Sequence, residues 1–326
     1  MKLVELLKIG TTALTEAEID NAIYDSRALL KYIFDLDETG LILNGNSEAD
    51  LKKAEEYLSL IRKRAEHYPL QYIMHSTGFM DYLFYVDENV LIPRSDTEIL
   101  VEEVLKYLNK EHKDRPVRLL DMCTGSGCIG ISCFLERKEK GVTDDVTLAD
   151  ISEGALSVAG RNARELGADV KLVRSDIYDT LNNYLIIDNV ESPLDNNDGK
   201  RQLNDANAKG DSADMFDVIV SNPPYIRSDV IPTLMEEVKD YEPVIALDGD
   251  RDGLKFYRRI IGEAPKHLRS GGAIYLEIGF DQYEDTRKLL VDAGFNDIKM
   301  FKDLAGLDRV VCGILKQAGG NRVKPV

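Results

Sequence analysis

Residues 119–132 read LLDMCTGSGCIGIS, an apolar run that enters a glycine-rich turn and continues as a second apolar stretch. Gly125, Gly127 and Gly130 match the pattern G-x-G-x-x-G, which joins a buried strand to a helix in sheets that bind nucleotides. Glycine lets the backbone turn sharply and approach a ligand, and the first amides of the helix are free donors. A glycine turn that binds nothing looks the same, so the surrounding sequence has to decide.

Apolar runs alternate with helical stretches around this turn. The runs are VRLLDMC, VTLAD, DVKLVRSD, FDVIVSN, GAIYLEIG, NDIKMFKD and RVVCGIL. Strands that alternate with helices predict an α/β fold whose mostly parallel, Rossmann-like sheet carries helices on both faces. The last two runs have no helix between them, which predicts an antiparallel hairpin at the sheet edge.

The N-terminal part of the chain has a different pattern. Apolar residues recur at spacings of three and four in EAEIDNAIYDSRALLKYIF and EADLKKAEEYLSLIRKRAEH, which predicts a small helical domain over residues 1–75. Aromatic and β-branched residues interrupted by proline and glycine then predict a hairpin linker over 76–95. The α/β domain is expected over 96–317, followed by a tail, 318–326.

Two local signals lie within the α/β domain. Ser95 and Glu98 have the spacing of a capping box at the start of a helix. A polar tract at about 188–214, rich in Asn and Asp, has no periodicity and predicts an insertion. A solvated loop is favoured for this insertion over a lid that contacts a partner.

The charge of the chain limits its partners. Lys and Arg number 41 against 58 Asp and Glu, so the net charge is −17, which repels phosphate backbones and disfavours nucleic acid. The four cysteines form no C-x-x-C pair and no zinc pattern with histidine, so neither a disulfide framework nor a metal site is expected. No apolar run is long enough for a bilayer and no cleavage site follows the N-terminus. We therefore expect a reduced, cytoplasmic protein without membrane contacts.

Acidic residues follow three of the predicted strands. Asp150, twenty residues after Gly130, can accept both hydroxyls of a ribose, which suits NAD and S-adenosylmethionine equally. Asp121 can face the amino group and sulfonium of S-adenosylmethionine but would repel a pyrophosphate. Asp176 is placed to reach the amine of adenine. Each acid could instead cap a helix, yet three together favour the cationic cofactor.

The stretch IVSNPPYI, residues 219–226, ends a buried strand with an amide, two prolines and an aromatic ring. The Asn222 side-chain oxygen and the Pro223 carbonyl can each accept one N–H of a planar NH2 group, which orients its nitrogen towards a methyl donor. Tyr225 can stack on the planar group. A turn-forming Asn before two loop-breaking prolines is the alternative, which the strand before it and the glycine turn upstream disfavour.

The whole resembles the peptide chain release factor N5-glutamine methyltransferases, a family of S-adenosylmethionine-dependent class I methyltransferases. The resemblance spans residues 68–280 and rests on YPLQYI, VLIPRSDTEILVE, LLDMCTGSGCIG, LADISEGALSVAGRNA, SDIYD, VSNPPYI, YEPVIALDGDRDGL and LEIG. It implies methyl transfer to the glutamine of the Gly-Gly-Gln motif of bacterial-type release factors, by a monomer whose helical domain helps to grip the substrate.

The resemblance also implies roles for individual residues. The implied cofactor-binding residues are Asp121, Cys123, Thr124, Gly125, Ser126, Gly127, Asp150, Asp176, Ile177 and Asn222. The implied substrate clamp is Asn222, Pro223, Pro224 and Tyr225, of which Asn222, Pro223 and Tyr225 are the catalytic residues. Cys123 stands where the family has a glycine, and is tolerated if its side chain turns into the core. Arg94 could reach the cofactor carboxylate or pin the linker, and the linker is favoured.

Three other functions compete with this one. A DNA adenine methyltransferase would also need a clamp for a planar NH2, but it must hold a polyanion. An NAD-dependent dehydrogenase would leave NPPY unexplained and lacks an evident catalytic His or Lys. A non-catalytic binding module could keep the fold, but the intact Asn222 and Tyr225 disfavour it.

Overall fold

The computed structural model describes residues 1–181 and 215–316. The insertion predicted at 188–214 and the tail predicted at 318–326 lie outside these residues. The chain divides into two compact units, Met1–Ser76 with Leu234–Glu242, and Thr77–Thr233 with Pro243–Val326. We call them unit 1 and unit 2.

Unit 1 is helical. Its helices are α1 Leu3–Glu16, α2 Ala22–Phe34, α3 Glu38–Asn44, α4 Leu51–Ala65, α5 Leu70–Met74 and the short α9 Glu236–Lys239. The apolar faces of α1, α2 and α4 bury residues such as Leu14, Leu29 and Ile61, as the three-and-four spacing predicts.

The segment Leu234–Glu242 is the part of unit 1 that the sequence does not reveal. Its Tyr241 hydroxyl donates to the Glu66 carbonyl at 2.6 Å, and the Tyr241 ring meets that of Tyr68 edge-on at 5.1 Å. His67 lies 3.0 Å from the Glu236 carboxylate. These contacts join the segment to the end of α4, although its position in the sequence lies inside the span 96–317 expected for the α/β domain.

Unit 2 contains the sheet. Its strands are β1 Thr77–Phe79, β2 Tyr82–Phe84, β3 Arg118–Met122, β4 Asp145–Asp150, β5 Lys171–Arg174, β6 Phe216–Ser221, β7 Leu268–Glu277, β8 Phe295–Lys302 and β9 Asp308–Leu315. β1 and β2 form a separate antiparallel hairpin, and the other strands form one sheet in the order β5-β4-β3-β6-β7-β9-β8. The five neighbouring strands β5, β4, β3, β6 and β7 run parallel, while β8 and β9 form an antiparallel hairpin at the edge of the sheet. This arrangement confirms the predicted fold class.

Helices cover both faces of this sheet. They are α6 Ser95–Glu111, α7 Cys128–Glu139, α8 Glu153–Leu166, α10 Lys255–His267 and α11 Tyr283–Asp292. Alternate residues of one strand serve opposite cores: Leu119 packs with α6 and α7, while Leu120 packs with α10. A strand buried on both faces reads as a continuous apolar run, which is why these strands could be located from the sequence.

The predicted capping box is wrong. Ser95 is the first residue of α6, its N-cap is Arg94, and no side chain caps the helix. The Glu98 carboxylate instead accepts the backbone N–H of Met80 at 2.6 Å, so it anchors the β1–β2 turn. Glu98 thus accepts the N–H of Met80, a distant residue, instead of the N–H at the start of its own helix that a capping box would use.

Arg64 is the buried charge on which unit 1 depends. Its Nε donates to the buried Asp25 carboxylate at 2.7 Å, and its Nη2 lies 3.0 Å from Glu237 in α9. Its Nη1 donates to the Tyr68 carbonyl at 3.3 Å. The guanidinium therefore joins α2, α4, the residues after α4 and the returning segment.

We expect Arg64→Ala to lower the free energy of unfolding by about 3–5 kcal/mol, because it leaves the Asp25 carboxylate buried without its counter-ion. Urea titration followed by circular dichroism measures the change. Arg62→Ala is the matched control, because Arg62 is an exposed residue of the same helix. Equal unfolding midpoints for the two variants would show that the pair contributes nothing.

Candidate active site

A cavity of about 300 Å³ opens at the carboxyl ends of the parallel strands of unit 2. It lies where the strand order reverses between β3 and β6, the position at which open α/β sheets bind their ligands. The Ser221 hydroxyl at the end of β6 donates to the Met122 carbonyl at the end of β3 at 2.6 Å. This bond fixes the two strand ends on either side of the crevice.

The cavity collects residues from every crossover of the sheet's parallel part. Its lining is Asn89, Val90, Leu91, Pro93, Arg94, Thr97, Met122, Cys123, Thr124, Gly125, Ser126, Cys128, Ile129, Asp150, Ile151, Ser152, Ala155, Ser175, Asp176, Ile177, Asn222, Pro224, Ile245, Ala246, Lys255, Phe256 and Arg259. Most of the predicted site residues are therefore brought together. Within the described part of the chain, Asp121, Gly127, Pro223 and Tyr225 are absent from this lining.

Asp121 lies beneath the glycine loop, outside the lining of the cavity. Its side chain is fully buried, and Oδ2 accepts the Thr124 hydroxyl at 2.6 Å and the Gly130 N–H at 2.9 Å. A Cβ on Gly130 would lie 2.4 Å from a Leu148 methyl and 3.0 Å from Asp121, so only glycine fits there. Asp121 thus holds both ends of the loop, a role that differs from the cofactor contact expected from the sequence.

Cys123 adopts the left-handed conformation, with φ of 59°, which favours the glycine that the family has here. Its side chain is half-buried, packs against the core under α10 and lines the cavity. Burial, followed by the nearby Asp150 charge, raises the pKa of its thiol above the ordinary value. The cysteine is therefore accommodated as a neutral packing residue.

Asp150 ends β4 at the edge of the cavity. Its Oδ2 accepts the Gly125 N–H at 2.9 Å and its Oδ1 the Ser152 N–H at 2.9 Å, so the carboxylate joins the glycine loop to the start of α8. Burial raises its pKa, and the two backbone donors oppose the shift. Each carboxylate oxygen keeps a lone pair for a further donor.

Asp176 follows β5 and has a partner that the sequence did not suggest. Its Oδ1 accepts Arg259 Nη1 from α10 at 2.7 Å, and this bond raises the pKa of the guanidinium. Both side chains line the cavity, next to Ile177, whose φ of 57° is unusual for a β-branched residue. An ion pair therefore closes this end of the cavity.

Asn222 and Pro224 line the opposite end of the cavity, just beyond β6. Asn222 Nδ2 donates to the Thr97 hydroxyl of α6 at 3.3 Å. Among the described residues, neither Asn222 Oδ1 nor the Pro223 carbonyl accepts a hydrogen bond. Two adjacent acceptors at the end of the strand thus have no partner within the described residues, the first on Asn222 in the cavity wall and the second on the buried Pro223.

Tyr225 turns towards the far side of this loop. Its hydroxyl donates to Glu277 Oε1 at 3.2 Å and receives Arg309 Nη1 at 3.4 Å. Burial raises the pKa of this hydroxyl, with the Glu277 charge second. The Tyr225 hydroxyl therefore joins the loop to β7 and β9, and the stacking role of its ring stays a prediction.

A second loop supports the backbone of NPPY. Ile226 N–H donates to the Leu247 carbonyl at 3.0 Å, and Gln282 Nε2 donates to the Tyr225 carbonyl at 3.0 Å. Gly253 has a φ of 71°, and a Cβ there would lie 2.4 Å from the Tyr225 oxygen. The segment YEPVIALDGDRDGL, residues 241–254, therefore ends in a loop that holds the backbone after NPPY in place.

The residues that the sequence analysis missed are Thr97, Lys255, Phe256, Arg259 and Glu277. Thr97 lies in SDTE, residues 95–98, where the spacing of Ser95 and Glu98 predicts a capping box but says nothing of Thr97. Arg94 was assigned to the linker, whereas it lines the cavity. None of the described helices could cross a membrane, and the described residues hold no group of three or more potential metal ligands.

Two family models and several relatives match the sequence of this chain. The domain family "PrmC N-terminal domain" matches residues 5–74, and "Methyltransferase small domain" matches residues 96–190. The release factor glutamine methyltransferase of Clostridium acetobutylicum is 37% identical over 316 residues, 96% of this chain and 99% of that protein. The chain belongs to the release factor glutamine methyltransferase family.

Other members of the release factor glutamine methyltransferase family are similar along nearly their whole length. The protein of Geobacter sulfurreducens is 34% identical over 300 residues, 92% of each chain. A solved structure of a release factor-specific protein-(glutamine-N5) methyltransferase from Alicyclobacillus acidocaldarius is 28% identical, with a TM-score of 0.37 over 72% of this chain and 99% of that one. Family membership confirms that the chain is a methyltransferase and confirms the resemblance found in its sequence.

The buried Asp121 carboxylate gives a test of the loop's construction. Burial raises its pKa from 3.8 to about 7 against the opposing effect of its two donors. Between these values the unfolded chain has released a proton that the folded chain retains, so Asp121 makes stability fall as pH rises. Asp121→Asn keeps an oxygen for both donors and has no proton to lose.

We expect the stability of Asp121→Asn relative to the wild type to rise by about 2–3 kcal/mol between about pH 5 and about pH 8, since each pKa unit is worth about 1.4 kcal/mol. Urea unfolding of both proteins across this range measures the difference. Asp169→Asn, at an exposed site outside the cavity, is the control and should parallel the wild type. An Asp121→Asn curve parallel to the wild type would contradict the raised pKa.

Proposed function

We propose that the protein transfers a methyl group from S-adenosylmethionine to the side-chain amide nitrogen of the glutamine in the Gly-Gly-Gln motif of a peptide chain release factor. The observation that carries this proposal is the pair of unoccupied acceptors, Asn222 Oδ1 and the Pro223 carbonyl, next to the cavity. A primary amide presents two N–H groups in one plane, and two adjacent oxygens suit both. Methylation of that glutamine would modulate translation termination.

The cavity fits the proposed cofactor. Its volume of about 300 Å³ is at the lower end for small-molecule sites, and its wall includes the glycine loop. Asp150 would accept the ribose hydroxyls with its remaining lone pairs, and Cys123, Thr124, Gly125 and Ser126 would lie along the methionine part. When bound, S-adenosylmethionine supplies an electrophilic methyl on a sulfonium.

Asp176 and Ile177 would lie at the adenine. The ion pair with Arg259 limits how Asp176 could bind it. Its carboxylate already binds Arg259, so one oxygen remains for an exocyclic amine. Asp121 and Gly127 would act through the shape of the loop, since neither lines the cavity. A ligand at this end of the cavity would thus meet an aspartate that is already paired with an arginine.

The chain's own contribution to the reaction is orientation. An amide nitrogen is a weak nucleophile because its lone pair is delocalised into the carbonyl. With one N–H on Asn222 Oδ1 and the other on the Pro223 carbonyl, the nitrogen is held towards the methyl group. The bound cofactor would supply the methyl group, which would pass to this nitrogen as its bond to sulfur broke, and the nitrogen would then give one proton to solvent. Pro224 lines the cavity beside it, and Tyr225 stiffens the loop.

The proposed partner is a protein, because a net charge of −17 is unfavourable for binding nucleic acid directly. Unit 1, which contains the match to the PrmC N-terminal domain, would contact the release factor. We further propose that the protein acts as a monomer in the cytoplasm, where release factors work.

Mass spectrometry of the Gly-Gly-Gln peptide tests the reaction. A purified release factor is incubated with the protein and S-adenosylmethionine, and we expect one added methyl on the glutamine. Asn222→Ala should lose about a hundredfold in rate, since it removes one of the two orienting acceptors, and should still bind the cofactor. Asn296→Ala, an exposed asparagine of the edge strand, is the matched control and should act as the wild type. Methyl on DNA adenine or on another protein's glutamine would overturn the substrate, and wild-type activity of Asn222→Ala would overturn the clamp.

Calorimetry tests the role of Asp150. We expect Asp150→Asn to weaken binding of S-adenosylmethionine by about 1.5–3 kcal/mol, because a neutral amide loses the charge-assisted bonds to the ribose. Asp169→Asn, whose side chain is exposed and outside the cavity, should bind as the wild type does. Equal affinity for Asp150→Asn would place the ribose elsewhere.

A further inference from the structure

The turn after β5 carries Asp176 and Ile177, the two residues proposed to lie at the adenine of the cofactor. The Ser175 hydroxyl holds this turn from within, since it donates to the Ile177 carbonyl at 2.7 Å and accepts the Thr180 N–H at 3.1 Å. Ile177 is 4% exposed and has a left-handed φ of 57° between these two bonds. The backbone on both sides of Asp176 is therefore fixed by short-range hydrogen bonds.

Arg259 of α10 binds Asp176 at two atoms. Its Nη1 donates to Oδ1 at 2.7 Å and its Nη2 to the backbone carbonyl of the same residue at 3.4 Å, while Nη2 also lies 3.8 Å from the Asp179 carboxylate. Because one planar guanidinium holds both the carboxylate and the main chain, the Asp176 carboxylate cannot rotate without losing a bond. Within the described residues, Oδ2 of Asp176 accepts no hydrogen bond, and both side chains line the cavity. Oδ2 is the acceptor left for a ligand.

An acceptor with a fixed direction can distinguish one purine from another. Adenine carries an exocyclic NH2 group, which donates, whereas hypoxanthine carries an exocyclic oxygen at the same position, which only accepts. An ionised carboxylate has no hydrogen to give, so it attracts the first group and repels the second. Arg259 preserves this distinction, because it keeps the Asp176 carboxylate ionised and prevents it from turning away.

We propose that Arg259 is a positioning residue, which directs Oδ2 of Asp176 at the exocyclic amine of the cofactor and thereby makes the site selective for adenine over a purine with an oxo group. This inference rests on the proposed function through the identity of the cofactor, and the release factor does not enter it. The side chains of Arg259 and Asp176 are 33% and 43% exposed. A bound purine would cover the pair and exclude water from it, which strengthens the hydrogen bond to the amine.

Calorimetry with S-adenosylhomocysteine and S-inosylhomocysteine measures this selectivity without turnover. We expect the wild type to bind the adenine ligand about tenfold to a hundredfold more tightly, because the hypoxanthine ligand brings oxygen against oxygen. Arg259→Met should lose most of this ratio by weakening the adenine ligand alone. Arg258→Met, at the exposed neighbouring residue outside the cavity lining, is the matched control and should keep the ratio. An unchanged ratio in Arg259→Met would overturn the proposal, as would an equal loss of affinity for both ligands.

Asp176→Asn is the second test, because it replaces one carboxylate oxygen with an NH2 group. Arg259 has only hydrogens to offer, so it must bind the oxygen of the new amide and leave the NH2 group towards the ligand. We expect the preference to invert, with the hypoxanthine ligand bound about threefold or more tighter. In the double variant Arg259→Met/Asp176→Asn the amide can turn either way, and the inversion should disappear. A continued preference of Asp176→Asn for adenine, or an inversion that survives in the double variant, would contradict the role of Arg259.

These affinities separate the inference from the proposed function. If the wild type methylates the release factor but binds the two ligands equally, only the role of Arg259 and Asp176 is refuted. If it shows the expected ratios but methylates no release factor, the role of Arg259 stands and only the substrate is refuted. If the folded wild type binds neither ligand, the proposed cofactor is wrong and the inference fails with it. Thermal unfolding shows whether each variant is folded.

Discussion

The cavity in unit 2 depends on the hydrogen bonds between a buried carboxylate, Asp121, and the glycine turn above it. Asp121 belongs to β3, and through Thr124 and Gly130 it fixes the turn and the start of α7. The cost is a negative charge without solvent, which appears as its raised pKa. Because Asp150 holds the same turn from β4, the loop is bound on both sides before any ligand arrives. The backbone that forms one wall of the cavity is thus built in advance.

The opposite wall of the cavity is held by hydrogen bonds between side chains. Asn222 and Tyr225 of NPPY bind side chains from two distant parts of the sequence: Asn222 donates to the Thr97 hydroxyl, and Tyr225 donates to the Glu277 carboxylate. Arg309 donates to the Tyr225 hydroxyl, and that hydroxyl in turn donates to Glu277. The glycine loop fixes the shape of one wall of the cavity, whereas these hydrogen bonds hold polar side chains at the other wall.

The sequence predicts the elements that form the two walls of the cavity better than the side-chain contacts that hold them. The strands, the crossover helices and the edge hairpin follow from apolar runs and their spacing, because burial on both faces leaves that pattern. The acids at the strand ends were also found, but Asp121, expected to contact the cofactor, lies outside the cavity lining and binds Thr124 and Gly130. Thr97, Arg259 and Glu277 could not be located, since their meaning lies in contacts between distant segments. The predicted capping box at Glu98 was wrong for the same reason, because its actual partner, the amide of Met80, is far from it in the sequence.

The return of Leu234–Glu242 to unit 1 affects how the chain can fold while it is being made. Helices α1 to α5 leave the ribosome early, but the segment that contributes Glu237 to Arg64 and Tyr241 to Glu66 follows only after β6. During synthesis the N-terminal helices therefore have an unfilled place until most of the parallel sheet has emerged. The two units mature in an interleaved order, and the NPPY strand end is synthesised just before unit 1 is complete.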